Sequence, residues 1–115
     1  MTSHPKRIYR IWLNESIKKH AIVVSKEELN RGDGCNTVLL TTNRVAERSR
    51  YEHCVFFAAG EFGLTEDCVA QCESIGATYY EHFADLDPIG TISDEKWEEL
   101  VAAMGCVMDA ACYVP

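Results

Sequence analysis

The apolar positions of the chain fall into short, separated runs, and most of them have the spacing of strands. Residues 6–13, KRIYRIWL, alternate, with Ile8, Arg10 and Trp12 on one side and Tyr9, Ile11 and Leu13 on the other. They are rich in the β-branched and aromatic types that suit a pleated surface. After the polar connection NESIKK, residues 20–25 form a second strand, continuously apolar from Ile22 to Val24 and so expected to be covered on both faces. Residues 26–34, KEELNRGDG, offer one turn of helical composition and a Gly-Asp-Gly turn before a third strand at 36–42. A fourth strand at 53–59 and a fifth at 67–75 are separated by GEFG, a turn or bulge with two glycines. In the fifth, Cys68, Ala70, Cys72 and Ser74 alternate with Val69, Gln71 and Glu73. Residues 77–87 predict a sixth strand running into a short helix, ended by Pro88 and Gly90.

The last element has a different period. Ser93 suits an N-cap, and Asp94 and Glu95 suit the positive end of a helix dipole. From Trp97, apolar residues recur at helical spacing as Leu100, Val101, Met104, Val107 and Met108, an amphipathic helix with Trp97 and the methionines in its core stripe. Five or six short strands with one C-terminal helix predict a mainly β fold, a small bent sheet or partly open SH3-like barrel, since a flat sheet would leave its edges unpaired. The 115 residues form one domain, 1–115, without linker or internal repeat.

Composition adds limits. No apolar run approaches the roughly 18 residues of a membrane span, and the N-terminus lacks the order of a signal peptide, so a cytoplasmic protein with no membrane contact is expected. The net charge of −7 is unevenly spread. Residues 1–50 hold ten of the eleven Lys and Arg against five acids, and residues 51–115 hold Lys96 against thirteen acids. Such a chain can turn a basic face to an anionic partner, although a solvated surface with chance segregation has the same composition. Six cysteines contain no C-x-x-C pair and no zinc-finger ladder with histidine, so free thiols packed as small apolar side chains are expected, with no metal and no cofactor.

The candidate chemistry sits at strand ends. Lys18, Lys19 and His20 open the second strand and Thr41, Thr42 and Asn43 close the third; if the two pair antiparallel, these ends meet. Arg44, Arg48 and Arg50 follow, where phosphate oxygens of a bound nucleic acid would lie. Each also has a plain structural reading, the lysines as a solvated strand end and the threonines as ordinary strand residues. His53 and His82 have no partner visible in the sequence.

The runs HAIVVSKEELNRG, VLLTTN, GEFGLTEDCVAQCESI and IGTISDEKWEELVAAMG, spread over about residues 7–108, resemble the MazF/PemK toxins of bacterial toxin–antitoxin modules. The resemblance implies an SH3-like barrel with a C-terminal helix, a homodimer, and metal-independent, sequence-specific cleavage of single-stranded RNA. It also implies a cognate antitoxin that wraps and blocks the dimer. The family's threonine or serine at the end of the third strand falls on Thr41. Its catalytic arginine, usually followed by proline, falls on Lys19 followed by His20. The glycine-rich loop between the first two strands is reduced to NESIKK, and Lys6-Arg7 stand where the family has Gly-Asp.

Metal-free RNA cleavage attacks the phosphate with its own 2′-hydroxyl and leaves a 2′,3′-cyclic phosphate. The protein must remove one proton, deliver another to the 5′-oxygen and stabilise charge on the phosphoryl oxygens. The resemblance therefore gives Lys19 the role of acid or phosphate clamp, His20 that of a proton carrier, and Thr41 that of a hydrogen-bond donor to phosphate. Lys18, Thr42, Asn43, Arg44, Arg48 and Arg50 would bind the RNA backbone. A lysine is a point charge where an arginine fork would bind two oxygens. That substitution leaves room for a non-catalytic interaction protein on the same fold, or a CcdB-like inhibitor of DNA gyrase acting through the C-terminal DAACYVP.

Overall fold

The computed structural model describes residues 1–108. Its six strands are β1 (Arg7–Trp12), β2 (Lys18–Val23), β3 (Gly34–Thr41), β4 (Cys54–Phe57), β5 (Cys68–Tyr79) and β6 (Gly90–Thr91). Two α-helices, α1 (Val45–Arg48) and α2 (Asp94–Val107), and 3-10 turns at Glu27–Arg31 and Tyr80–His82 complete it. The strands form one sheet in the order β4-β5-β3-β2-β1-β6, antiparallel throughout. This is the mainly β architecture with a C-terminal helix that the periodicities predict.

Register decides which side chains share a face. Ile8 stands opposite Ile22, Ile22 opposite Val38, Leu40 opposite Ala70, and Ala70 opposite Val55. These residues from five strands converge in one core with Phe57, and Leu100 and Ala103 of α2 close it. A sheet whose one face gathers onto a single helix in this way must curl, which is the bent half-barrel expected of so few strands. The opposite face carries a smaller cluster of Tyr9, Val23 and Cys35 under Tyr80 and Phe83. Of the continuous apolar run Ile22–Val24, Ile22 and Val23 are fully buried, as is Ala21 before them, whereas Val24 lies past the end of β2 and is half-buried.

Helix α2 begins as its sequence requires. Ser93 Oγ accepts a hydrogen bond from the Lys96 backbone N–H, and Lys6 Nζ donates to Asp94 at 2.7 Å. That lysine holds the exposed Asp94 carboxyl below its ordinary value. Lys6 itself has φ 75°, the left-handed conformation glycine adopts most easily. The resemblance expects a glycine at this position, and the backbone of this chain takes a conformation that glycine adopts most easily although the residue is lysine.

Four expectations are corrected. Strand β2 starts at Lys18 rather than His20, because Asn14 Oδ1 accepts from the N–H groups of Ser16 and Ile17 and closes the hairpin early. Residues 77–79 continue β5 instead of starting a new strand. Thr37 faces Gly76 and Leu39 faces Gln71, so residues 72–75 bulge opposite Val38. Ser74 Oγ holds this bulge by accepting from the Leu39 N–H and donating to the Gln71 carbonyl. The true sixth strand is the short Gly90–Thr91 pair beside β1. Finally, Val101 and Met108 are exposed although they share the helical apolar spacing, since the sheet covers only the Leu100 and Ala103 side of α2.

Candidate functional site

The antiparallel pairing of β2 with β3 brings the two strand ends together as their sequence predicts. A cavity of about 250 Å³ lies there, lined by Lys18, Lys19, His20, Leu40, Thr41, Thr42 and Asn43, with Arg10 and Glu66 completing it. Six of the nine sequence-predicted residues therefore border one space. Three do not. Arg44 and Arg48 line a second cavity with Glu47, Tyr51, His53, Cys54 and Glu73, and Arg50 borders neither. The cause is local: Arg44 adopts φ 53° and ψ 41°, a left-handed turn that ends the strand direction at Asn43 and sends α1 toward β4 and β5.

Lys19 and His20 leave the strand on opposite faces. Lys19 is opposite Ile11 and His20 opposite Arg10, so His20 shares the face that leads to the core and Lys19 the other. Lys18 is exposed and lies over the Trp12 ring, with Nζ 4.4 Å from its centroid, a cross-strand cation–π pair. Thr41 is only 3% exposed, and its Oγ1 accepts from the Asn43 backbone N–H at 3.2 Å. Its hydroxyl proton remains available to one acceptor at the cavity wall. Thr42 and Asn43 beside it are exposed.

Arg10 is the residue that sequence reasoning missed. Its guanidinium is fixed by Asp85, which accepts from Nε at 2.8 Å and lies 2.6 Å from the second nitrogen. Burial, then the Arg10 charge, push His20 below its ordinary 6.5, and Glu66 opposes them. His20 is thus neutral at neutral pH, the form that accepts a proton. The available signal was the alternation of β1, which puts Arg10 on the face of Ile8; the register against His20 was hidden until the hairpin length was known. Together the cavity offers three cations, a neutral imidazole, two hydroxyls and one carboxylate, a set suited to an anion that must gain and lose protons.

Elsewhere the sequence-predicted groups have plainer surroundings. His53 Nε2 lies 3.4 Å from Glu73 and stacks on Tyr51, and His82 Nε2 lies 3.6 Å from Glu81. Burial pushes the Cys68 thiol up to about 11 and that of Cys72 up to about 12, so both stay protonated. Among the described residues no helix is long and apolar enough to cross a membrane. The segment DAACYVP, on which the gyrase alternative rests, lies outside the described residues apart from what its sequence says.

A curled antiparallel half-barrel with one C-terminal helix, and a cationic cavity where β1, β2 and β3 end, defines the class: the chain has the MazF-type fold. It is similar over 93% of its length to 95% of a mycobacterial endoribonuclease solved in complex with its cognate antitoxin, with a TM-score of 0.76 at 18% identity. The Mycobacterium tuberculosis toxin MazF-mt6 gives a TM-score of 0.75 at 15% identity, covering 90% of this chain and 96% of that one. A MazE–MazF structure from Deinococcus radiodurans gives 0.74 at 10% identity, covering 94% and 96%. No family model matches the sequence, and no curated protein does.

Proposed function

We propose that the chain is a MazF-type toxin of a toxin–antitoxin module, a metal-independent endoribonuclease that cuts single-stranded RNA and leaves a 2′,3′-cyclic phosphate. The observation that carries this reading is the convergence of Lys18, Lys19, His20, Thr41, Thr42 and Asn43 with Arg10 at one cavity of this fold. Arg10 supplies the guanidinium that position 19 lacks, held in direction by Asp85. Neutral His20 takes the 2′-hydroxyl proton, and Lys19 protonates the departing 5′-oxygen or clamps the phosphate. Thr41 donates to a phosphoryl oxygen, and Thr42, Asn43 and Lys18 hold the adjoining backbone. Arg44 and Arg48 would meet RNA only where the strand leaves this cavity and crosses α1.

The same reading gives the protein a cytoplasmic location, a second copy and an antitoxin as partners. Exposed Trp12, Leu13 and Ile17 on the β1–β2 hairpin support a protein contact there, since contiguous apolar surface is seldom left to water.

Purified protein incubated with long single-stranded RNA in EDTA should yield discrete fragments with cyclic phosphate ends. Arg10→Gln, His20→Ala, Lys19→Ala and Thr41→Ala should each reduce the yield. Absence of cleavage by the unsubstituted protein, or cleavage indifferent to all four changes, overturns the assignment.

A further inference from the structure

The second cavity, of about 200 Å³, has its own chemistry. At its wall one donor atom each from His53, Cys54 and Glu73 lie within 4.8 Å of one another. Among the described residues this is the one such group that contains a thiol with an imidazole and a carboxylate. We propose that His53, Cys54 and Glu73 bind a divalent transition cation, zinc by the softness of the donors, with water in the fourth position.

The donor set favours this class of ion. Thiolate and imidazole select zinc over magnesium or calcium, and a carboxylate completes a three-ligand set of the open kind. Zinc bond lengths of about 2.0–2.3 Å place tetrahedral ligands roughly 3.3–3.8 Å apart. His53 Nε2 and Glu73 Oε2 already stand 3.4 Å apart, so only the third ligand must close by about an ångström. Adjacent residues of a regular strand could not both point at one ion, but His53 lies just outside β4, whose first residue is Cys54. Glu73 reaches the pair from the bulge of β5 at residues 72–75. Two backbone irregularities, the entry to β4 and the bulge of β5, thus converge on a point that the spacing of the cysteines does not reveal.

Charge balance is consistent. On binding, the Cys54 thiol releases its proton to solvent, and the resulting thiolate and the Glu73 carboxylate neutralise the dication. Arg44 is turned to Glu47, 3.9 Å away, so Arg48 is the cation left facing the site. Its Nε is buried without a hydrogen-bond partner among the described residues. The ion would tie the start of β4 to β5 and stand apart from the cavity at Lys19 and His20. Cleavage in EDTA and zinc binding are therefore independent of each other.

The test is a Co2+ titration of the reduced full chain, followed by displacement with Zn2+. The expected result is a near-ultraviolet thiolate-to-cobalt band with intense visible bands of a tetrahedral ion, both bleached by Zn2+. Cys54→Ser should remove the thiolate band. His53→Ala and Glu73→Gln, which keep every cysteine, should weaken Zn2+ affinity by roughly tenfold or more, at least what outer partners of metal ligands cost. Cys68→Ser should change neither reading. No thiolate band in the unsubstituted chain, a band that survives Cys54→Ser, or affinity unchanged in both His53→Ala and Glu73→Gln overturns the proposal.

Discussion

Arg10 stands directly opposite His20 in the β1–β2 ladder, on the same face of the sheet and at the wall of the same cavity. Burial and then the guanidinium charge hold the imidazole below its ordinary 6.5. A histidine so placed should titrate below that value by NMR, and Arg10→Gln should move its midpoint upward. The folded state takes up the His20 proton less readily than the unfolded chain. The His20 contribution to stability is therefore complete above pH 6.5 and declines as pH falls from there toward the depressed folded value. Denaturation midpoints measured across that window should fall less steeply in His20→Gln. An unchanged slope, with a midpoint at or above the ordinary value, would show that the pair does not interact as placed.

Asp85 fixes Arg10 from the far side, accepting at 2.6 and 2.8 Å through one carboxylate oxygen. Both side chains are more than a third exposed, so the pair adds little to stability, on the order of 1 kcal/mol or less. Its effect is on direction. Asp85→Asn should leave the thermal midpoint nearly unchanged while lowering RNA cleavage, chiefly through turnover rather than binding. A loss of stability with unaltered turnover would reduce Asp85 to an ordinary surface partner.

The sequence and the structure agree where periodicity is strong and local. Apolar runs at Ile22–Val24 and in the third strand mark the two central strands, and the condition on which their polar ends meet, antiparallel pairing, is met in the sheet. The meeting of Lys19 with Thr41 was legible for that reason. Arg10 was not, because a cross-strand register depends on a hairpin closed by the Asn14 side chain, and one residue of slip would turn every side chain over. The bulge opposite Val38 was hidden in the same way, since Ser74 replaces ladder bonds that periodicity assumes. Nor does alternation register the left-handed turns at Lys6 and Arg44, because neither is a glycine.

Asn30 is fully buried in the 3-10 turn between β2 and β3. Its Nδ2 donates to the Ser3 and Ser25 carbonyls at 3.1 and 2.8 Å, and its Oδ1 accepts from Ser25 Oγ at 2.5 Å. Its own carbonyl accepts from the Tyr80 hydroxyl, also at 2.5 Å, which ties this turn to the second cluster. Asn30→Ala would strand three polar partners in the interior. The expected loss is about 3 kcal/mol in urea denaturation, with roughly 1 kcal/mol for each lost bond. A loss below about 1 kcal/mol would mean that water replaces the amide.

Arg44 carries two possible effects, one in its charge and one in its backbone, and two substitutions separate them. At φ 53° a residue with a Cβ is strained by about 1–2 kcal/mol, whereas glycine is not. Arg44→Gly and Arg44→Ala both remove the guanidinium and its 3.9 Å approach to Glu47. They differ only in whether the left-handed turn after Asn43 remains strained. Arg44→Gly should therefore be more stable than Arg44→Ala by about 1 kcal/mol, after allowing for the greater freedom of glycine in the unfolded chain. If the charge of Arg44 contributes to RNA binding along α1, both variants should lose affinity equally, and the salt dependence of binding should weaken in both. If both variants keep full affinity and an unchanged salt dependence, the position serves only the turn that aims Thr42 and Asn43, and the guanidinium has no part in holding phosphate.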